Sequence, residues 1–313
     1  MATPTSEPMA AYLVDRRALG VLRFTGATRL DLIHRMSTQD VKDLPPGEGA
    51  ATILTTDIGR IIDRLLLYAA PDAVYAITGE NNAEAIARYL LRFVFFMDDF
   101  QVENLTPTWA VWGVYGAGAA TCLAAAGWPA ADLLPYQWRH VTLPDGLSFS
   151  VHRADPVAGG GFLVLAPSSV SASLPARLIE AGAALISAET FDYLRLESGL
   201  PRFGRELTPA YIPLEANLWA DVSFKKGCYI GQEIIARLES RGRLAKRLLH
   251  FHADRPLAPD ADIWLGDNVV GALTSAANGP RGTFALGYVK TSALAEPAPA
   301  LTVGDTPLTL LPA

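Results

Sequence analysis

The chain has 313 residues, half of them hydrophobic, and a formal net charge of −6. That length accommodates two or three domains with sizeable cores, and the acidic balance argues against general nucleic-acid binding, although an average can hide a local basic patch. No apolar run approaches the roughly 20 residues of a membrane-spanning helix. The stretch Met1–Ala11 lacks the basic-then-apolar order of a signal peptide and the arginines of a transit peptide, so the expected location is cytoplasmic.

In chain order, Val21-Leu22-Arg23-Phe24 reads as a strand, Gly26 as a turn, and Ala27 to Met36 as a helix with Leu30, Ile33 and His34 on one face. Ala51 to Leu54, Arg60 to Tyr68 and Ala73 to Ile77 read as consecutive strands. A helix is predicted from about Asn82 to Phe93, since Ile86, Tyr89, Leu90 and Phe93 recur at i, i+3, i+4 and i+7. A second strand–glycine–helix unit follows: Ala110 to Tyr115, Gly116-Ala117-Gly118, then Ala119 to Ala126. It loosely echoes the first.

Strands at Leu147 to Val151 and Gly161 to Leu165, and helices at Ser173 to Ala181 and Thr190 to Ser198, complete this part. The mixture has no βαβ rhythm and predicts an α+β class. Beyond Leu248 only short strands appear: Leu248 to Phe251, Asp262 to Leu265, Asn268 to Ala277, Phe284 to Val289 and Leu308 to Leu311. Their spacing and turns predict a small antiparallel barrel or sandwich. The expected domains are residues 1–240 and 241–313.

The chain has two cysteines, Cys122 and Cys228, which cannot build a disulfide framework, and no metal-ligand spacing occurs. Cys122 lies in the Ala-rich helix and is expected in the core. Gly116-Ala117-Gly118 lacks the third glycine of a dinucleotide fingerprint and reads as close strand–helix packing. Cys228 stands in Lys225-Lys226-Gly227-Cys228-Tyr229-Ile230-Gly231-Gln232-Glu233, ahead of a helix expected from about Gly231 to Glu239. Unpaired N–H groups at a helix start and two lysines both favour a thiolate, the reactive form. The alternative is a small apolar filler in a glycine-rich turn.

Residues 225–247 hold seven basic and two acidic side chains, a net charge of +5 inside an acidic chain. Such a segment suits an anionic partner; the plainer reading is a solvated helix face and connector. Glu197, near a helix end in Arg195-Leu196-Glu197-Ser198-Gly199-Leu200-Pro201-Arg202, can accept two N–H donors from an aminopyrimidine-type ring. The ordinary alternative is a surface ion pair with Arg195 or Arg202.

The motif Lys226-Gly227-Cys228-Tyr229-Ile230-Gly231-Gln232-Glu233, with Arg237 and Gly242 downstream, resembles the signature of the YgfZ family of folate-binding proteins, relatives of the aminomethyltransferase (T protein) of the glycine cleavage system. The resemblance extends to Gly26, Ser37-Thr38-Gln39-Asp40-Val41, Gly59-Arg60, Arg195-Leu196-Glu197-Ser198-Gly199 and Pro213-Leu214-Glu215. It implies two GcvT-like α+β domains and a C-terminal β-barrel around a central opening that holds tetrahydrofolate. It also implies a role in assembly or repair of iron–sulfur clusters in client enzymes, some of which modify tRNA, with Cys228 as the reactive group.

By the same resemblance Glu197 falls where aminomethyltransferases hold the pteridine ring, Tyr68 falls near a folate-contacting tyrosine, and Arg202 and Arg241 are candidate folate contacts. The implied partners are folate, iron–sulfur client or assembly proteins and, weakly, tRNA. One departure stands out. Ala85 occupies the position of the aminomethyltransferases' catalytic aspartate, with Glu84 beside it but directed elsewhere, which places aminomethyl transfer in doubt. The competing expectations are a folate-dependent one-carbon transferase and a tRNA- or protein-binding adaptor using residues 225–247.

Overall fold

The computed structural model describes residues 9–242, 244–294 and 300–312. From the N-terminal side, β1 (Tyr12–Asp15) and β2 (Leu19–Thr25) lead into α1 (Arg29–Met36); β3 (Gly49–Thr55), β4 (Ile61–Ala69) and β5 (Val74–Glu80) then precede α2 (Ala83–Leu91). Next come β6 (Gln101–Asn104), β7 (Trp109–Tyr115), α3 (Ala119–Ala125), β8 (Trp138–Thr142), β9 (Ser148–Val157) and β10 (Gly160–Pro167). The helices α4 (Ser168–Ser171) and α5 (Leu174–Glu180), the short β11 (Ala184–Leu185) and α6 (Ala188–Glu197) end this part. After a long irregular segment, α7 (Gln232–Arg241) is followed by β12 (Lys246–Ala253), β13 (Asp262–Leu265), β14 (Asn268–Gly279), β15 (Gly282–Lys290), β16 (Leu301–Val303), β17 (Thr306–Pro307) and β18 (Thr309–Leu311).

The class is α+β, as the lack of a βαβ rhythm predicts. The strands form three sheets, in the orders β11-β1-β7-β10-β9-β8, β3-β4-β5-β2-β6 and β17-β16-β13-β14-β15-β12-β18. Within the first sheet the pairings are antiparallel except for β1 with β11. The third is antiparallel, and its two end strands, β17 and β18, are separated in the chain by Leu308 alone. The chain thus draws both edges together into a nearly closed barrel, which removes the unpaired edges an open sheet would expose. The barrel encloses Phe251, Ile263, Leu273, Ala285, Val289 and Leu301.

The described chain divides into two compact units that do not follow chain order: residues 9–32, 43–51 and 66–191 form one, and residues 33–42, 52–65 and 192–312 the other. The core of the first is built from Trp128, Phe149, Phe162, Leu123, Leu174 and Leu178, with the Trp128 and Phe149 rings edge-on at 4.6 Å. Cys122 lies in this core, as expected.

The two strand–glycine–helix units share their geometry. Gly26 and Gly116 both have φ of +96°, and a Cβ at either would lie 2.1 or 2.2 Å from the carbonyl oxygen of Asp99 or Ala10. Each glycine lets an extended segment cross the turn, a contact that any side chain would block. The same close approach accounts for Gly118, whose Cβ would meet the Met9 carbonyl at 1.9 Å. In α1 the buried residues are Leu32, Ile33 and Met36, not Leu30, which is only half-buried. No helix among the described residues is long and apolar enough to cross a membrane. The Met1–Pro8 part of the N-terminal stretch lies outside the described residues.

The first unit also buries a histidine. His152 on β9 is 1% exposed, stacks at 5.4 Å on Trp138 and meets the edge of Tyr68 at 4.3 Å. Its Nε2 lies 2.7 Å from Ser150 Oγ, and its Nδ1 has no partner. Burial pushes its imidazole down to about 3. An unfolded imidazole titrates near about 6.5. Below that pH the unfolded chain takes up a proton that the folded chain refuses, so stability falls as the pH drops from about 6.5 toward 3. Urea unfolding at pH 7 and pH 4.5 should show His152→Phe losing about 2–3 kcal/mol less on acidification than wild type. Equal losses in both proteins would contradict the neutral, buried assignment.

Candidate functional site

The motif around Cys228 belongs to the second unit. Its anchor is Lys226, 8% exposed. The ammonium donates to the carbonyl oxygens of His34, of Ser37 at 2.7 Å and of Gln39 at 2.9 Å, and lies 5.2 Å from the Tyr229 ring centre. The carbonyls come from the end of α1 and the turn after it, where helical C=O groups run out of intrahelical partners and a cation is favoured. All three ammonium protons therefore have an acceptor. Burial pushes the group down to about 8, with Asp40 opposing the shift.

Lys226 therefore has a structural task beside the charge expected of it. The ammonium is committed to carbonyls contributed by residues 34–39. The same segment is held further, since Ser223 N–H donates to Thr38 O at 2.9 Å and Thr38 Oγ1 donates to Asp221 O at 2.6 Å.

On the other side of Cys228, Tyr229 is buried, which pushes its phenol up to about 12. The Ile230 carbonyl accepts from Thr55 Oγ1 at 2.6 Å. Gly231 has φ of +84°, and a Cβ there would lie 2.5 Å from the Thr56 carbonyl, so this turn demands glycine. Gly231 caps α7, whose first residue is Gln232. Cys228 thus stands four positions before the first helical residue, beyond the first turn where the helix dipole is strongest. The helix begins within one residue of its expected start, with Cys228 ahead of it as expected. The thiol is exposed, so the apolar-filler alternative does not hold. Gly227, beside it, has no atom within 4 Å of a would-be Cβ. The result is an exposed thiol on a short loop tied down at Lys226 and at Tyr229–Gly231.

Among the described residues, several cations of the basic segment are engaged within the chain. Lys226 is buried, Arg237 is paired with Glu233 at 2.7 Å, and the Lys246 ammonium sits 4.5 Å over the Tyr211 ring. Lys225 and Arg247 are exposed. Arg241 is the last residue of α7; its side chain and Arg243 lie outside the described residues.

Glu197 is the last residue of α6, with its side chain 19% exposed. Its Oε2 accepts from the guanidinium of Arg281, in the turn between β14 and β15. This corrects the expected ion-pair partners Arg195 and Arg202. Arg195 is 2% exposed and packs against β14: Nε donates to Asp192 at 2.7 Å, Nη1 to Leu200 O at 3.2 Å and Glu206 at 3.0 Å, and Nη2 to Ser275 Oγ at 2.9 Å. Arg202 pairs with Asp192 at 3.4 Å. Glu206, fully buried, also accepts from Thr274, Ser275 and the Arg202 N–H. Neither Arg281 nor Glu206 announces itself in sequence: one sits in an ordinary turn, and the other's partners are far away in the chain.

Tyr68, on β4 in the first unit, is fully buried, and its hydroxyl donates to Arg153 O at 3.1 Å. Ala85 is exposed on α2, and Glu84 pairs along the helix with Arg88 at 3.9 Å. Among the described residues, no group of three or more His, Cys, Asp or Glu side chains is disposed to hold a metal ion.

Replacing Lys226 by methionine keeps the stem and removes the ammonium, leaving buried carbonyls without a donor. Urea unfolding of Lys226→Met should show a loss of about 2–4 kcal/mol, each orphaned group costing roughly 1–3 kcal/mol less what water recovers. Lys226→Arg should not rescue it, because a planar fork cannot present three converging protons. A loss below about 0.5 kcal/mol would show that the clamp is dispensable.

The GCVT N-terminal domain model matches residues 9–226, and the CAF17, C-terminal beta-barrel domain model matches residues 246–313. The chain is 28% identical over 298 residues to a chloroplastic protein of Arabidopsis thaliana, covering 94% of this chain and 68% of that protein. It is 28% identical over 275 residues to an aminomethyltransferase of Rubrobacter xylanophilus, covering 86% of this chain and 73% of that protein. The fold is shared with the glycine cleavage system aminomethyltransferase T of Bartonella henselae, at a TM-score of 0.83 and 23% identity, over 97% of this chain and 86% of that one. With a GCVT N-terminal domain over most of its length and a CAF17-type barrel after it, the chain belongs to the YgfZ/CAF17 family of GcvT-related proteins.

Proposed function

We propose that this protein binds tetrahydrofolate and takes part in assembling or repairing iron–sulfur clusters in client enzymes, tRNA-modifying ones among them, with Cys228 as its reactive group. The folate would be held by residues 1–240, with 241–313 as the barrel, and the site of action would be the cytoplasm. The observation that carries the reading is Glu197, a mostly buried carboxylate at the end of α6 in a GcvT-related fold. Its two oxygens match the two adjacent N–H donors of an aminopyrimidinone edge, and charge-assisted pairs of this kind are the strong ones.

Bound tetrahydrofolate would supply a carrier for one-carbon units. The protein's own contributions are separate: Glu197 orients the ring, and the loop tied down by Lys226 presents the Cys228 thiol. Tyr68, Arg202 and Arg241 remain candidate contacts, of which Tyr68 would have to act from a buried position.

A second reading, folate-dependent aminomethyl transfer, is favoured by the names of relatives such as that of Rubrobacter xylanophilus. Ala85 weighs against it, because it offers no acid where the resemblance places one. The third, an adaptor for tRNA, draws on residues 225–247, where three of the cations are already engaged within the chain.

Calorimetric titration with tetrahydrofolate should give binding to wild type and a loss of roughly 10- to 100-fold in Glu197→Ala, the range for one charge-assisted pair. No heat in wild type would remove the folate premise. For the thiol, Cys228→Ser should fail to restore cluster-enzyme activity in a strain lacking the protein; full restoration would refute its role.

A further inference from the structure

Arg281 forms an ion pair with the carboxylate proposed to hold the pteridine, and its backbone is fixed while its head is not. The turn Gly279-Pro280-Arg281-Gly282 joins β14 to β15. A Cβ at Gly279 would lie 2.3 Å from the Tyr193 ring, and Gly282 has φ of +92° with its would-be Cβ 2.6 Å from His252 Nε2. The Arg281 N–H donates to the Tyr193 hydroxyl at 3.2 Å, and the Arg281 carbonyl accepts from His252 Nε2 at 2.7 Å. Tyr193 lies four residues before Glu197, so one face of α6 grips both the backbone of the turn and its arginine head. The guanidinium itself is 64% exposed. It reaches Glu197 from a fixed root and is free to swing back into water.

The chemistry of the pair is informative. A guanidinium presents two parallel N–H groups on a planar N–C–N frame, the arrangement that matches a carboxylate. The 2-amino and N3–H edge of a reduced pterin presents the same frame. A bidentate edge needs both oxygens of Glu197, and Arg281 already engages Oε2.

We propose that Arg281 is a specificity-determining residue of the Glu197 site: its guanidinium competes with the ligand's guanidine-like edge for the carboxylate. The inference rests on the folate reading above. A ligand that presents both N–H groups gains two bonds and displaces the arginine, which water then hydrates. A ligand that presents one neutral N–H exchanges a charge-assisted bond for a single weaker one and is disfavoured against a ligand that makes two.

Binding of tetrahydrofolate to wild type, Arg281→Ala, Arg281→Met, Glu197→Gln and the double variant Arg281→Ala/Glu197→Gln tests this. An ion pair with one exposed partner restrains the equilibrium only a few-fold. Both Arg281 variants should therefore bind roughly three- to tenfold tighter than wild type, and the gain should vanish in the Glu197→Gln background. Arg281→Met keeps the stem against α6, and matching thermal melts show that the turn is intact. A pterin bearing a single edge N–H should gain more from Arg281→Ala than tetrahydrofolate does. Weaker or unchanged binding in both Arg281 variants, while wild-type binding still depends on Glu197, would overturn the competition and leave the folate reading standing. No binding by any of the five proteins would overturn the folate reading, and the competition with it.

Discussion

The buried pair of Arg195 and Glu206 is the constraint on which the second unit depends. Arg195 is 2% exposed and Glu206 not at all. Removing two charges from water is costly, and the pair is tolerable only if the remaining protons and lone pairs are also satisfied. They are: Asp192, Leu200 O and Ser275 complete the arginine, and Thr274, Ser275 and the Arg202 N–H complete the carboxylate. Tyr288 adds a bond from β15 to the Glu206 carbonyl at 2.9 Å. The network ties α6, the loop after it, β14 and β15 to one another. Glu197 sits two residues from Arg195 on α6, and Arg281 lies between β14 and β15. The carboxylate and its arginine partner are thus placed by a polar core that cannot shift without orphaning a charge.

Lys226 repeats the logic with one charge. Its burial is offset by three carbonyls at the end of α1 and the turn after it, and the consequence is local: a loop with glycines at 227 and 231 is held while it presents an exposed thiol. Two buried cations, Arg195 and Lys226, hold polar backbone in place so that two other side chains, Glu197 and Cys228, reach the surface or nearly so. This division separates residues that would touch a ligand from residues that hold the fold.

Much of the fold was legible because strand and helix periods are local. The strands at Arg60 to Tyr68 and Asp262 to Leu265 and the helix at Asn82 to Phe93 appear within a few residues of the predicted bounds. The missed strands are short: β6, β8, β11, β16 and β17 are mostly exposed or half-exposed, and β1, although Leu13 and Val14 are buried, has only four residues, too few for an alternation to stand out. The site was legible only as residues, not as pairs. Glu197 could be singled out by its helix end, but its partner is 84 positions away. Lys226 looked like a neighbour for Cys228, yet its acceptors lie 187 to 192 positions back. Local spacing carries no record of which distant carbonyl a lysine will find.

The account as a whole turns on whether Glu197 grips the pteridine edge. The most direct measurement is the proton spectrum of tetrahydrofolate labelled with nitrogen-15 at N3, bound to the protein. A carboxylate acceptor predicts a strongly downfield N3–H signal, protected from exchange with water, that disappears in Glu197→Gln. An N3–H that exchanges freely in the wild-type complex would contradict the account.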